Sequence, residues 1–285
     1  MNRVRVVMTL LVRDEEDIVR ANLDFHLARG VDFVVATDNR SEDATVSILE
    51  DYERQGVLRL LHEPADDYSQ GRWVTRMARL AARELGADWV INNDADEFWW
   101  PLEGDLATVL AGVPDDYDAV LVPRYNFVVT PGPEDRPFHE RMTVRYAVPF
   151  DPVKQGPIQP KMAHRASPEA DVLQGNHDVA WPGRRPALSG APLEILHFPV
   201  RTLAQFENKI VKGGAAYERN AELPERFGHQ WRSLFEAQRR GELPELYHRA
   251  VLDPGAVAAG LASGELVADH RLAEALAGGV ASPRP

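Results

Sequence analysis

The sequence predicts an α/β fold, and two observations in its first half carry that prediction. Apolar runs suited to buried strands recur at residues 4–12, 33–37, 57–61 and 89–93. Near-continuous apolar runs are typical of strands that are covered on both faces of a parallel sheet. A helical segment follows each of the first three runs and ends at a glycine, at Gly30, Gly56 and Gly86. This alternation favours a mostly parallel, right-handed sheet flanked by helices.

The second half of the chain is less regular. Strands are predicted at 119–129, 142–148 and 194–198, with proline-rich loops between 130 and 160. From Thr202 the pattern is helical, because Gln205 three residues later completes a capping box. Further helices are predicted at 224–240 and 256–276. We therefore expect an α/β unit of residues 1–200 and a C-terminal helical extension of residues 201–285.

Composition excludes several classes of protein. The chain has 285 residues and a formal net charge of −12, so a general nucleic-acid binder is not expected. It has no cysteine, which excludes disulfides and thiolate chemistry. No apolar run approaches the roughly 20 residues that a transmembrane helix needs, and we expect no signal peptide at the start. We expect a cytoplasmic protein.

The most informative stretch is the fourth predicted strand and the acidic turn after it. Asp94 and Asp96 occupy alternating positions at its carboxyl end, followed by Glu97 and bulky aromatic residues. Crowded carboxylates repel one another unless a hard cation or a hydroxyl-rich ligand lies between them. Open α/β sheets place their ligands at this edge. The pattern indicates a site for a divalent ion that carries phosphates.

Four other residues have a functional and a simpler interpretation. Asp38 ends the second strand, where a carboxylate can accept hydrogen bonds from a nucleotide, but for this residue alone turn and cap chemistry is the favoured interpretation. Arg72 and Arg76 share one face at the start of a helix, which suits a diphosphate but also suits an exposed basic face. His197 ends a strand and is either a metal ligand or a satisfied core residue.

The order of these motifs resembles that of a known family. A strand ending in Asp-Asn-x-Ser-x-Asp-x-Thr, a helix beginning Gly-Arg-x-x-x-Arg and a strand ending Asp-Ala-Asp-Glu-Phe follow one another between residues 4 and 101. This is similar to glycosyltransferases of the GT-A fold, family 2, and especially their bacterial branch with an Asp-x-Asp-Glu-Phe signature. The resemblance continues more weakly over residues 193–213. It implies a nucleotide-sugar-binding catalytic domain and a C-terminal region that completes the acceptor side.

The resemblance also implies roles for individual residues. Asp96 would bind Mg²⁺ or Mn²⁺ on the diphosphate, and His197 would complete the metal shell. Residues implied in donor binding are Val12, Asp14, Glu15, Asp38, Arg72, Arg76, Asp94 and Ala95. Asp14 stands where the branch usually has asparagine, so the identity of the nucleotide stays open.

The implied reaction moves a sugar from a nucleotide-diphosphate donor to the hydroxyl of a small-molecule or glycan acceptor. The resemblance implies inversion, for which a base must take the acceptor proton. Asp178 is the first candidate for that base and His177 the second. Two alternatives stay open. A nucleotidyltransferase would normally bring a glycine-rich loop after the first strand, and a catalytically inactive nucleotide-sugar-binding protein would normally have a broken carboxylate set.

Overall fold

The computed structural model of the chain describes residues 3–67, 69–132, 134–220 and 229–278. Its helices are α1 Val19–Ala28, α2 Thr45–Arg54, α3 Gln70–Glu84, α4 Leu106–Ala111, α5 Phe138–Arg141, α6 Leu203–Arg219, α7 His229–Arg239, α8 Leu243–Ala250, α9 Pro254–Ser263 and α10 Arg271–Ala277. Its strands are β1 Val6–Val12, β2 Phe33–Asp38, β3 Leu58–His62, β4 Trp89–Asp94, β5 Glu97–Pro101, β6 Ala119–Val122, β7 Arg124–Asn126, β8 Val144–Tyr146, β9 Phe150–Asp151, β10 Gly156–Pro157, β11 Lys161–Arg165, β12 Asp171–Val172, β13 Val179–Ala180, β14 Ala187–Ser189, β15 Leu193–His197 and β16 Leu266–Ala268.

The central sheet has the strand order β14-β6-β11-β4-β1-β2-β3. The four strands β1 to β4 run parallel, and β14 runs parallel to β6. Only β11 is antiparallel to its neighbours β4 and β6. The predicted α/β class with a mostly parallel central sheet and flanking helices is confirmed. Because the chain turns from β1 toward β2 on one side and β4 on the other, the ends of β1 and β4 form a topological switch point.

A second, three-stranded sheet extends from the same edge. Strand β15 lies between β5, to which it is antiparallel, and β7, to which it is parallel. This pairing places His197 opposite Glu97, directly after the acidic turn. Large apolar side chains lock the two sheets together, since Trp89, Trp99 and Phe98 are fully buried. The strand that begins at Glu97 therefore has a fixed position relative to β4.

The C-terminal region differs from the predicted one in one place. The predicted helix over 256–276 is two helices, because Gly264 adopts a left-handed φ of +79° that ends α9. Strand β16 follows and pairs with β8, which lies on the other side of residue 200. The division of the chain at residue 200 stays a prediction. The predicted helix over 224–240 is observed from His229, and residues 224–228 lie outside the described part. Within the described residues, no helix is long and apolar enough to span a membrane.

Candidate active site

A cavity of about 320 Å³ lies at the carboxyl ends of β1 and β4 and is covered by α6 and the segment around β9. Its charged and histidine side chains come from distant parts of the sequence. They are Arg13, Asp14, Glu15, Asp94, Asp96, Arg124, Asp151, Lys154, Lys161, His177, His197, Lys209 and Lys212. This is the position at which open α/β sheets bind ligands. The structure thus brings the acidic turn, both predicted histidines and the end of β1 into one cavity.

Helix α1 holds the acidic turn in place. The side-chain amide of Asn22 donates to the carbonyl oxygens of Ala95 and Glu97, at 2.9 and 2.8 Å. Asn93 donates to Asn22 Oδ1 and accepts from the indole N–H of Trp99. All of these groups are buried, so each lost hydrogen bond would leave an unsatisfied polar atom. The turn is therefore rigid before any ligand binds.

His26 completes this neutral network. Its Nε2 accepts from the backbone N–H of Trp99, so its Nδ1 carries the proton and donates to Asn22. Burial lowers the pKa of His26 to about 4. A neutral ring with both nitrogens bonded supports the turn and adds no charge beneath the carboxylates.

Asp96 is the most tightly enclosed carboxylate of the cavity. Its Oδ2 accepts from Lys209 Nζ at 2.5 Å, and its Oδ1 lies 3.6 Å from Nε2 of His197. Burial opposes ionisation, but the charge of Lys209 outweighs it and holds the pKa of Asp96 well below its usual value. Asp96 is therefore ionised throughout the physiological range.

The tautomer of His197 follows from its other nitrogen. Nδ1 lies 2.6 Å from Oδ1 of Asn126, which can only accept, so Nδ1 donates. Burial lowers the pKa of His197, so the ring is neutral and Nε2 has a bare lone pair. That lone pair faces the Asp96 carboxylate. Two acceptors that face each other across 3.6 Å favour a cation between them, and such a hydrogen-bonded histidine is typical of metal ligands.

Asp94 belongs to a buried chain of charges. Its carboxylate accepts from Lys161 at 2.5 Å and from the amide of Asn176 at 3.1 Å. Lys161 also donates to the carbonyl of Gly175 and lies 3.4 Å from Glu97, which pairs with Arg124 at 2.8 Å. Glu97 is fully buried. Of the three carboxylates in the acidic signature, Asp94 and Asp96 therefore line the cavity and Glu97 lies beneath it.

The predicted residues at the end of β1 also line the cavity, together with Ala95. Asp14 has a left-handed backbone, with φ +54°, and its carboxylate accepts from the backbone N–H of Glu42 and from Lys212. Glu15 pairs with the buried Arg201 at 2.6 Å, and Val12 completes the wall. A non-glycine residue with positive φ at a cavity stores strain, as functional sites often do.

Four predicted residues lie outside the cavity lining. Asp38 accepts from the backbone N–H groups of Arg40 and Ser41, which is the turn chemistry of the simpler interpretation. Asp178 accepts from the backbone N–H of Val179 and faces Arg184. Arg72 and Arg76 line a separate groove of about 800 Å³ along α3.

Several cavity residues were assigned no role from the sequence, chief among them the lysines. Only four of the 32 basic residues of the chain are lysine. All four line the cavity: Lys154, Lys161, Lys209 and Lys212. The scarcity of lysine in the sequence could have drawn attention to these four residues. A rare residue type that clusters at one site indicates that the site requires its chemistry.

No protein-family model matches the chain, and no curated protein matches it. Among solved structures, S. aureus TarS 1-349 aligns at 14% identity and a TM-score of 0.42, covering 83% of this chain and 72% of that one. The same protein in complex with UDP aligns at 12% identity and a TM-score of 0.41.

Glucosyl-3-phosphoglycerate synthase from Mycobacterium tuberculosis, in complex with Mn²⁺, UDP and phosphoglyceric acid, aligns at 15% identity. Its TM-score is 0.30, and the alignment covers 43% of each chain. Similarities this low carry no information about what the present chain binds.

Proposed function

We propose that the chain is a GT-A-type glycosyltransferase that moves a sugar from a nucleotide-diphosphate donor to an acceptor hydroxyl. One observation carries the proposal. The acidic turn Asp94–Asp96 lies at the switch point of the sheet, in a cavity whose floor is acidic and whose α6 side is lined by lysines. Lysine is a common phosphate-binding residue, and carboxylates at this edge hold the ion that accompanies phosphates. A nucleotide diphosphate with a divalent ion satisfies both sets of charges.

The residues present fit a divalent ion. Asp96 and His197 are the ligands that would hold it, since the bare Nε2 of His197 and the ionised Asp96 face each other. Among the described residues, no group of three or more histidine and acidic side chains is arranged to hold a metal alone. Mg²⁺ is often held by one or two protein carboxylates together with substrate phosphates and water. A bound Mg²⁺ or Mn²⁺ would stabilise the charge that develops on the departing diphosphate.

We assign the acceptor base to His177, ahead of Asp178. His177 lines the cavity, and its Nδ1 donates to the carbonyl of Pro160 at 2.9 Å, which leaves Nε2 free to accept a proton. Burial and the nearby Lys161 lower the pKa of His177 to about 4, so the ring is neutral at physiological pH. A bound diphosphate adds negative charge to the cavity and would raise that pKa toward the range of an effective base.

In the proposed inverting reaction, the acceptor oxygen forms a bond to C1 of the sugar. The bond between C1 and the diphosphate oxygen breaks, and its electron pair leaves with the diphosphate. The acceptor proton moves to Nε2 of His177. Lys209 and Lys212 lie on the α6 side of the cavity, where a developing negative charge would be stabilised.

The test is a thermal-shift screen of UDP, GDP, dTDP and CDP and their sugar adducts, with and without Mn²⁺. A ligand that binds only the folded state raises the melting temperature by mass action. We expect a shift for one nucleotide that is larger with Mn²⁺, and slow release of free sugar from its adduct when water is the acceptor. Binding without any turnover would favour the inactive binding protein. The absence of a shift for every diphosphate would overturn the proposal.

A further inference from the structure

The four lysines of the cavity share a second property: each one is paired with an aspartate that lines the same cavity. The pairs are Lys154–Asp151 at 3.2 Å, and Lys161–Asp94, Lys209–Asp96 and Lys212–Asp14 at 2.5 Å. In the described part of the chain, Arg13 and Arg124 are the arginines that line the cavity. An ammonium group is a compact point charge on a flexible stem, whereas guanidinium is a rigid fork. Lysine is therefore the cation that can leave one anion for another with the least rearrangement.

The lysine on Asp96 is held less firmly than two of the others. Lys161 has Asp94, Glu97 and a backbone carbonyl around its ammonium group, and Lys212 bridges Asp14 and Glu42. Among the described contacts, the ammonium group of Lys209 has one hydrogen-bond partner, Asp96. Its side chain is also 28% exposed, compared with 2% for Lys161. Lys209 is thus free to move toward the cavity once another charge neutralises Asp96.

A divalent ion and Lys209 compete for the same carboxylate. An ion held by Asp96 and His197 would lie close to the ammonium group, and like charges at short distance repel. Binding of the ion alone must therefore displace Lys209 from Asp96, and Glu15, the other carboxylate that attracts Lys209, already pairs with Arg201. A diphosphate removes this conflict, since its oxygens can coordinate the ion and also accept from the displaced ammonium group.

We propose that Lys209 is an internal counter-ion that occupies Asp96 in the free protein and transfers to the diphosphate when ion and nucleotide bind together. The inference rests on the proposed function for the identity of the ligand. Lys209 thus pairs with Asp96 in the free protein and with the diphosphate in the ligand-bound protein. Binding of the ion and binding of the nucleotide then depend on each other. Such coupling is reciprocal, so each ligand tightens the other by the same factor.

The experiment measures Mn²⁺ binding from the electron paramagnetic resonance signal of free Mn²⁺, first without nucleotide. We expect weak binding by the wild-type protein and binding at least ten-fold tighter by Lys209→Met, which removes the competing charge and keeps the length of the side chain. Arg219→Met is the matched control. Arg219 lies on the same helix and pairs with Asp66 at 2.7 Å outside the cavity, so its loss should leave Mn²⁺ affinity unchanged.

A second titration repeats the measurement with saturating nucleoside diphosphate, using whichever of UDP, GDP, dTDP and CDP gives the largest thermal shift. The nucleotide should tighten Mn²⁺ binding strongly in the wild type and much less in Lys209→Met. Equal or weaker Mn²⁺ binding by Lys209→Met without nucleotide overturns the inference while leaving the proposed function intact. If no nucleotide binds the wild type, the proposed function fails. The first titration still decides whether Lys209 competes with Mn²⁺ for Asp96. Lys209→Gln serves the same purpose if the methionine variant does not fold.

Discussion

The cavity and the groove along α3 are both lined by basic side chains, but they use different residues. The groove carries Arg72, Arg76, Arg79 and Arg83 on one face of the helix. Arg79 and Arg83 donate to the backbone carbonyls of Ala170 and Pro168, at 2.7 and 2.6 Å. The other two lie 3.5–3.6 Å from Glu63 and Asp67 and are about half exposed. The cavity instead pairs its lysines with aspartates.

The difference teaches which basic residues are structural and which are available to a ligand. The fork of arginine satisfies carbonyl groups of a loop and so fixes α3 against β12. The lysine ammonium groups instead neutralise aspartates that line the cavity. Exposed ion pairs such as those of Arg72 contribute at most about 1 kcal/mol. The comparison predicts that substitutions around the cavity have large effects and that matched substitutions in the groove have small ones.

The largest effect is expected for Glu97→Gln, which removes the buried charge that pairs with Arg124 and Lys161. Breaking a buried ion pair leaves an uncompensated charge and costs about 3 kcal/mol or more. We expect this loss in the free energy of unfolding measured by urea denaturation. Glu84→Gln is the matched control in the groove, because Glu84 is 58% exposed and pairs with Arg59. A loss below about 1 kcal/mol for Glu97→Gln would show that the charge chain beneath Asp94 is not structural.

The next effect concerns binding. Asp96→Asn keeps the size of the side chain but removes the charge that faces His197. We expect the affinity for the nucleotide in the presence of Mn²⁺ to fall about 100-fold, which is about 2.7 kcal/mol. Isothermal titration calorimetry measures it. Asp171→Asn, on the wall of the groove, should bind as the wild type does. If Asp96→Asn retained full Mn²⁺-dependent affinity, Asp96 would not be a metal ligand.

The sequence predicted the first half of the fold and the floor of the cavity for the same reason. An apolar run that ends in carboxylates defines both a buried strand and the residues at its carboxyl end, so Asp94 and Asp96 were predicted together with β4. The role of the end of β1 was implied only by the family resemblance. Strand β11 was missed, because its sequence, Lys-Met-Ala-His-Arg, contains no apolar run. Because β11 was not predicted, the position of Lys161 at its start was not predicted either.

Residues that reach the cavity from far along the chain had only a weak local signature, and the resemblance over residues 193–213 gave Lys209 no role. Lys209 lies 113 residues after Asp96, and only the packing of α6 brings the two together. The helical spacing of Arg72 and Arg76 correctly indicates one shared face, but spacing alone does not show which neighbour that face meets. The direction of α3 relative to the sheet determines where that face lies, and the face with Arg72 and Arg76 lines the groove.

A smaller effect is expected for Lys212→Ala. Lys212 bridges Asp14 and Glu42 at the edge of the cavity and is 21% exposed. Removing one partly screened charge near the ligand should weaken nucleotide binding about five-fold, corresponding to about 1 kcal/mol. Calorimetry in low and high salt checks the origin of the effect, because an electrostatic loss shrinks as salt increases. An unchanged affinity at low salt would place the phosphates away from α6.

The smallest effect, and the sharpest test of the comparison, is expected for Arg72→Ala and Arg76→Ala. Their position at the start of α3 implied contact with the diphosphate, whereas the structure places both on the wall of the groove. We expect nucleotide affinity within about two-fold of the wild type, since exposed charges at a distance are screened by salt. Calorimetry on each variant and on the double variant decides the question. A loss of ten-fold or more would mean that α3 turns its arginines toward the ligand when it binds, and the cavity and the groove would then be two parts of one site.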